Sequence, residues 1–348
     1  MAPWKAARVG DHLDQIDTPA LILDMDAFER NLGLLQDALS GSGMRLRPHA
    51  KSHKCPEIAL RQIAAGAVGI CCQKVSEAAV FVAAGVKDIL ITNQVVGEKK
   101  VAHALDLTER ARVGILVDHE EQVAAFAQAS AARKIKIDVY IEVDVGMGRC
   151  GATSIEQVVA LARQIDQAPY LNFMGLQCYH GSAQHYRLPK ERQDAIAAVC
   201  AKAAEAKAAV EKAGIKVERI TGAGTGSVML EGSSSIFNEV QAGSYILMDR
   251  DYAKNQRDAS DLAFEHALFI KTAILSHPSQ GRAVVDAGLK ASSVDSGMPL
   301  VWQRTDANYL KASDEHGVLE LTADSPLKLG DAIMLIPGHC DPTVNLYD

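Results

Sequence analysis

From residue 44 to about residue 247 the chain alternates eight short β-like runs with amphipathic helical runs, and few folds accommodate that pattern. The β-like runs are Met44–Pro48, Val68–Cys72, Asp88–Thr92, Val113–Val117, Asp138–Val143, Phe173–Tyr179, Val217–Thr221 and Glu239–Leu247. Between them apolar residues recur at helical spacing, as in Glu191–Ala213, where an Ala/Val stripe opposes a Glu/Lys/Arg face. Eight such alternations predict a (β/α)8 TIM barrel over residues 26–248. The alternative, a doubly wound open sheet, would show fewer strands and a Gly-x-Gly-x-x-Gly after the first of them, and neither is present.

Beyond Asp249 the pattern changes. Ala263–Ser276, Arg282–Asp286, Val318–Leu321, Ala332–Ile336 and Thr343–Leu346 read as strands, separated by Gly/Pro/Asp/Ser turns with no long helix between them. Leu21–Asp24 is also strand-like and is followed by a helical run, Asp26–Leu39, ahead of the first barrel strand. A second, mainly β domain built from both chain ends is therefore expected, residues 1–25 plus 249–348.

The net charge of −7 over 348 residues argues against a nucleic-acid surface. No apolar run approaches the roughly 20 residues that span a bilayer, and Met1–Gln15 lacks the apolar core of a signal peptide. The seven cysteines are odd in number and mostly set in apolar runs, with no Cys-x-x-Cys spacing. They predict reduced thiols and a cytoplasmic protein rather than a disulfide framework. Adjacent Cys71 and Cys72 read as buried small hydrophobes rather than a redox pair.

Chemistry in a barrel sits at the C-terminal strand ends. At the first of these stands Arg47-Pro48-His49-Ala50-Lys51-Ser52-His53-Lys54. Taken alone it is a solvated basic turn or an anion patch. A lysine crowded by cations and partly buried has a lowered pKa, however, which suits a Schiff-base lysine. Gln73 follows the second strand, and the fifth runs into Glu142-Val143-Asp144-Val145-Gly146-Met147-Gly148-Arg149. The sixth ends in Tyr179-His180-Gly181-Ser182, with His185 just beyond. The seventh and eighth end in Gly222-Ala223-Gly224-Thr225-Gly226-Ser227 and in Gln241-Ala242-Gly243-Ser244-Tyr245. Small-residue loops at positions seven and eight are where barrel enzymes hold a phosphate, here with the Thr225 and Ser244 hydroxyls beside freed backbone N–H groups. A phosphorylated aldehyde held opposite a lysine is pyridoxal phosphate.

These residues, with VDAGLK, SDEHG and PGHCDPTVNLYD further on, resemble the fold-type III pyridoxal-phosphate enzymes of the alanine-racemase-like superfamily. Within it the chain is most similar to the D-threonine aldolase group, with 3-hydroxy-D-aspartate aldolases and D-serine dehydratases as neighbours. The motifs run from about residue 17 to the end. The resemblance implies that Lys51 carries the cofactor, and that Gln73, Tyr179, Thr225, Gly226, Gly243, Ser244 and Tyr245 line or hold it, most of them at the phosphate. It implies Arg149 near the cofactor's ring oxygen, His185 as general base, and His339 and Asp341 as ligands of a divalent metal. The residues speak for the metal as well. In an extended segment His339 and Asp341, two apart, would face one way, and a histidine with a carboxylate suits manganese, magnesium, cobalt or zinc. Relatives run on past the last motif, so a final strand of the β domain is expected to be missing after Asp348.

The implied activity is retro-aldol cleavage of a small D-3-hydroxy-2-amino acid to glycine and an aldehyde by a homodimer. The alternatives are dehydration of D-serine or D-threo-3-hydroxyaspartate, aldol cleavage of 3-hydroxy-D-aspartate, and a non-enzymatic pyridoxal-phosphate-binding protein. Dehydratases of this kind carry His-x-Cys where this chain has His339-Cys340-Asp341. Racemases use a tyrosine from the β domain, and none occurs in Val285–Lys290.

Overall fold

In the computed structural model, which describes residues 7–347, the chain divides into two compact units. One comprises the described residues up to Asn31, Ile246–Lys254 and the chain from Phe264 on; the other comprises Leu32–Tyr245 and Asn255–Ala263.

The larger unit is a parallel eight-stranded sheet. With β1 set at Ala20–Leu23, its strands are β2 (Arg45–Leu46), β3 (Ile70–Cys72), β4 (Asp88–Gln94), β5 (Arg112–Val117), β6 (Ile137–Glu142), β7 (Leu171–Cys178), β8 (Arg219–Gly222) and β9 (Glu239–Val240). The order runs from β3 through β9 to β2, and the seam between β2 and β3 is spanned by the parallel bridge His49↔Cys71. This is the barrel that the alternation predicts. Helices intervene after each strand from β3 to β7, the longest being Pro189–Lys212. Their apolar stripes pack on the outside of the sheet, where Phe81, Phe126, Val158, Ile196 and Val210 are buried. A separate inner layer holds Cys71, Leu90, Leu116, Tyr140 and Met174. Cys71 and Cys72 are both fully buried, as expected of small hydrophobes, and all seven cysteines are free thiols.

Beside that layer lies a buried ion cluster. The Arg47 guanidinium contacts Glu239 at 3.0 Å and Asp88 at 2.6 Å. Burial alone would lower the arginine's pKa, but the two carboxylates outweigh it and hold the charge on. Such a pair is costly to break from one side, because the remaining charge is stranded in a dry interior.

One expectation fails here. The run Glu239–Leu247 is not one strand. Only Glu239 and Val240 pair, and the chain then turns at Gly243 into a 3-10 turn, Ser244–Ile246. Its apolar residues are buried by the turn rather than by a ladder, which sequence periodicity does not distinguish.

The smaller unit is antiparallel. Its strands are β10 (Leu268–Ser279), β11 (Arg282–Val285), β12 (Leu300–Val301), β13 (Ala307–Ala312), β14 (Gly317–Leu321) and β15 (Ala332–Ile336), in the order β12-β15-β10-β11-β14-β13. β1 joins them by pairing with β10 from Ala20↔Lys271 to Leu23↔Leu268, so this sheet does draw on both ends of the chain. β12 and β13 are strands that the sequence reading did not anticipate. Conversely, Thr343–Leu346 is not a strand, because Cys340–Val344 is a short helix. Asp341 and Pro342 in its first turn are helix-start residues, and they decide the local conformation. Among the described residues no helix is long and apolar enough to cross a membrane.

Candidate active site

Lys51 sits in a 3-10 turn, Ala50–Ser52, entered directly from the His49↔Cys71 bridge. His49 caps this turn. Its Nδ1 accepts the Lys51 backbone N–H at 3.3 Å, while the N–H groups of His53 and Lys54 both reach the carbonyl of Ala50. Lys54, at φ +49°, ends the turn in the left-handed region. His49 Nε2 lies 2.9 Å from Thr92 Oγ1. The Thr92 hydroxyl donates to the Cys72 carbonyl, so it accepts from His49, and Nε2 carries the ring proton. Burial, and then the positive charges of Lys51, His53 and Arg149, hold His49 well below the usual histidine range. The lysine turn is thus built on a neutral histidine of fixed tautomer. The Gln73 side-chain amide also reaches His49 Nε2, at 3.1 Å, and the Gln73 backbone N–H donates to Glu77 at 2.9 Å. Burial raises the Glu77 carboxyl, opposed by the Gln73 and Lys74 N–H groups and by the charges of Lys54 and Lys51.

The loops after β8 and β9 come together beside this turn. A Cβ on Gly243 would stand 2.7 Å from the His49 carbonyl oxygen and 3.4 Å from Ser52 Oγ, so the approach of the lysine turn requires glycine there. Thr225 and Ser244 are both buried, and Thr225 Oγ1 accepts the Tyr245 N–H at 2.9 Å. Ala223 takes the left-handed conformation, φ +65°, which a non-glycine residue holds only where its surroundings over-determine it. Tyr245 is fully buried, and its hydroxyl accepts from Gln62 Nε2, so it serves the loop through packing and its backbone. The Gly226 N–H is given to Gln184 Oε1 at 2.9 Å. A cradle of two buried hydroxyls and a side-chain-free glycine beside a lysine turn fits the phosphate of pyridoxal phosphate.

After β6, Asp144 accepts from the N–H groups of Gly146 and Gly148 and so folds the loop that carries Arg149. The Arg149 guanidinium lies 6.0 Å from the Tyr179 ring centre and 3.8 Å from Glu142. Glu142, Asp118 and Cys150 bring three potential ligand atoms within 4.8 Å of one another. Gln94 Nε2 already donates to both carboxylates, so the group reads as a braced acidic support for Arg149. The sequence reading gave none of the three a role at the site.

His185 closes the 3-10 turn Ser182–His185 and is exposed, whereas His180 is buried and packs edge-on against Tyr186. Gln184, between them, is fully buried and was likewise not anticipated.

In the β unit the expectation of an extended His-x-Asp is corrected. His339 is the N-cap of the Cys340–Val344 helix and Asp341 lies in its first turn, so the two do not share the face of a strand. His339 Nδ1 stands 2.8 Å from Asp295 Oδ2. Burial raises the Asp295 carboxyl, but hydrogen bonds from His339 and Ser293 prevail and it is held low. A carboxylate at Nδ1 leaves Nε2 as the donor for a metal, an arrangement common around zinc and related ions. Asp249, buried, accepts the Cys340 N–H at 3.0 Å and fixes the start of this helix. The donor chemistry of His339 and Asp341 fits a divalent ion.

Two family models match the chain: the alanine racemase N-terminal domain over residues 23–251, and a serine dehydratase domain over residues 267–348. The chain is 46% identical to a D-threonine aldolase of Arthrobacter sp, an alignment covering 98% of this chain and 90% of that protein. It is 43% identical to a 3-hydroxy-D-aspartate aldolase of Paracoccus denitrificans, covering 96% and 88%. The crystal structure of D-threonine aldolase from Filomicrobium marinum superposes with a TM-score of 0.97 at 47% identity, covering 99% of this chain and 93% of that one.

Proposed function

The chain belongs to the alanine racemase N-terminal domain family of fold-type III pyridoxal-phosphate enzymes, and from that premise we propose that it cleaves D-3-hydroxy-2-amino acids of the D-threonine type to glycine and an aldehyde. The observation that supports this reading is the packing of the Lys51 turn against Gly243, which sets a lysine beside a loop of small residues at the strand ends.

In this reading Lys51 holds the cofactor covalently. Thr225, Gly243 and Ser244 hold its phosphate, with Gly226 and Tyr245 shaping the loop. Gln73, Tyr179 and Arg149 line its ring. Pyridoxal phosphate supplies an electron sink for the bond that breaks at Cα. A divalent ion, manganese being our choice over magnesium, cobalt or zinc, supplies a Lewis acid for a hydroxyl oxygen, and His339 and Asp341 would hold it. His185, exposed at the end of its turn, takes the hydroxyl proton. Lys51, released when the substrate amine takes its place on the cofactor, or a water would return a proton to Cα. We further propose a cytoplasmic homodimer, as is usual for this fold type.

Dehydration is the second reading, favoured by the match of residues 267–348 to a serine dehydratase domain. Asp341 speaks against it, since a carboxylate stands where such enzymes carry a thiol.

The reading is tested by reduction and chelation. Borohydride is expected to fix the cofactor on the peptide containing Lys51; labelling at Lys54 or Lys74 instead would refute the assignment. A chelator and His339→Ala are both expected to abolish cleavage while the bound cofactor's absorbance persists. His185→Ala is expected to retain the metal and lose about 10²–10⁴-fold in rate. Full activity of wild type in chelator would refute the role of the ion.

A further inference from the structure

The buried Gln184 touches both halves of the strand-end machinery. Its Oε1 accepts the Gly226 N–H at 2.9 Å, and its Nε2 donates to Ser227 Oγ at 2.7 Å. The same Nε2 lies 3.3 Å from the carbonyl of His180, two residues ahead of the turn Ser182–His185. Its own carbonyl accepts from Asn255 Nδ2 at 2.8 Å, and Asn255 in turn accepts from Arg187. The glycines opposite are shaped to it. A Cβ on Gly224 would come within 2.6 Å of Gln184 Oε1, and one on Gly226 within 2.6 Å of the Gln184 carbonyl.

Behind Gln184 the chain of bonds continues. Ser227 Oγ donates to Glu231 Oε1 at 3.0 Å, and Glu231 is fully buried, with no partner for Oε2. A carboxylate with a bare oxygen in a dry interior is expensive, so Glu231 is held there as the neutral acid. In this geometry the Gln184 amide gives to Ser227, and Ser227 gives to Glu231 Oε1.

We propose that Gln184 is a positioning residue that couples the placement of His185 to occupancy of the 223–227 loop by the cofactor's phosphate. Gly226 and Ser227 are both bonded to the Gln184 side chain and Gly224 packs close against it, so the loop and that side chain move together, and Gln184 is covalently next to His185. Phosphate seated in the loop fixes Gln184, and Gln184 fixes the turn that presents the base. The chain would then have its base ordered only when the cofactor is seated. This rests on the reading of the 223–227 loop as the phosphate site.

The test is hydrogen exchange of the full-length apo-enzyme before and after loading with pyridoxal phosphate, in wild type and in Gln184→Met, which keeps the volume and removes the bonds. In wild type, loading is expected to slow exchange several-fold both in peptides covering 222–228 and in peptides covering 181–188. In Gln184→Met the first protection is expected to persist and the second to disappear. Should Gln184→Met not fold, Ser227→Ala removes one bond and is expected to weaken the second protection while keeping the first. Protection of 181–188 in the variant equal to wild type would overturn the coupling, as would its absence in wild type while 222–228 is protected. No protection of 222–228 in wild type would overturn the phosphate reading as well, so the two failures are distinguishable.

Discussion

His339 Nδ1 lies 2.8 Å from Oδ2 of Asp295, a residue 44 positions earlier in the chain. The pair fixes the histidine's tautomer and ring orientation before any ion arrives. Replacing Asp295 by Ala removes that support, and by Asn weakens it, without removing a proposed ligand. Manganese affinity, measured by titration of the apo-protein, is expected to fall roughly 10–100-fold. An unchanged affinity would mean that His339 is not the ligand, or that its orientation is set elsewhere.

The second prediction concerns Gly243. An alanine there would put a methyl carbon 2.7 Å from the His49 carbonyl, and backbone gives way less readily than a side chain. The Lys51 turn or the Ser244 loop must shift. Affinity for pyridoxal phosphate, followed by absorbance titration, is expected to drop at least about tenfold, or roughly 1.4 kcal/mol. Affinity within twofold of wild type would show that the turn and the loop are not coupled.

Glu231 gives a pH prediction. Burial pushes its carboxyl up to about 8 from an ordinary value of 4.5, against the opposing bond from Ser227. Between those values the folded protein keeps a proton that the unfolded chain releases. Stability from this group is therefore complete below about 4.5, falls as pH rises toward 8, and levels off beyond. The slope approaches about 1.4 kcal/mol per pH unit. Glu231→Gln cannot titrate. Denaturant midpoints measured on both proteins at mildly acidic and mildly alkaline pH are expected to show a smaller alkaline loss in the variant. Parallel pH dependences would contradict a buried neutral Glu231.

The interior ion cluster gives a stability prediction. Arg47→Met leaves Glu239 and Asp88 without their shared cation in a closed environment. Urea unfolding is expected to register a loss of about 3–5 kcal/mol. A loss below about 1 kcal/mol would show that Arg45 or water compensates.

The barrel was legible because β/α alternation is a local property, repeated eight times. The lysine turn was legible because its cations are adjacent in sequence. Helix-start residues at Asp341 and Pro342 were also present to be read, but an expected strand concealed them. Gln184, Asp295 and the tautomer of His49 were not legible. Each acts through a partner far along the chain, at 42 residues for Gly226, 44 for His339 and 43 for Thr92, and no residue pattern announces such pairs.

The most direct measurement is the product of D-threonine turnover by the purified protein loaded with pyridoxal phosphate and manganese, with L-threonine run in parallel. Glycine and acetaldehyde in equal amounts, from the D-isomer alone, are the expected result. Predominant 2-oxobutanoate, or equal turnover of L-threonine, would contradict aldol cleavage of D-3-hydroxy amino acids by this chain.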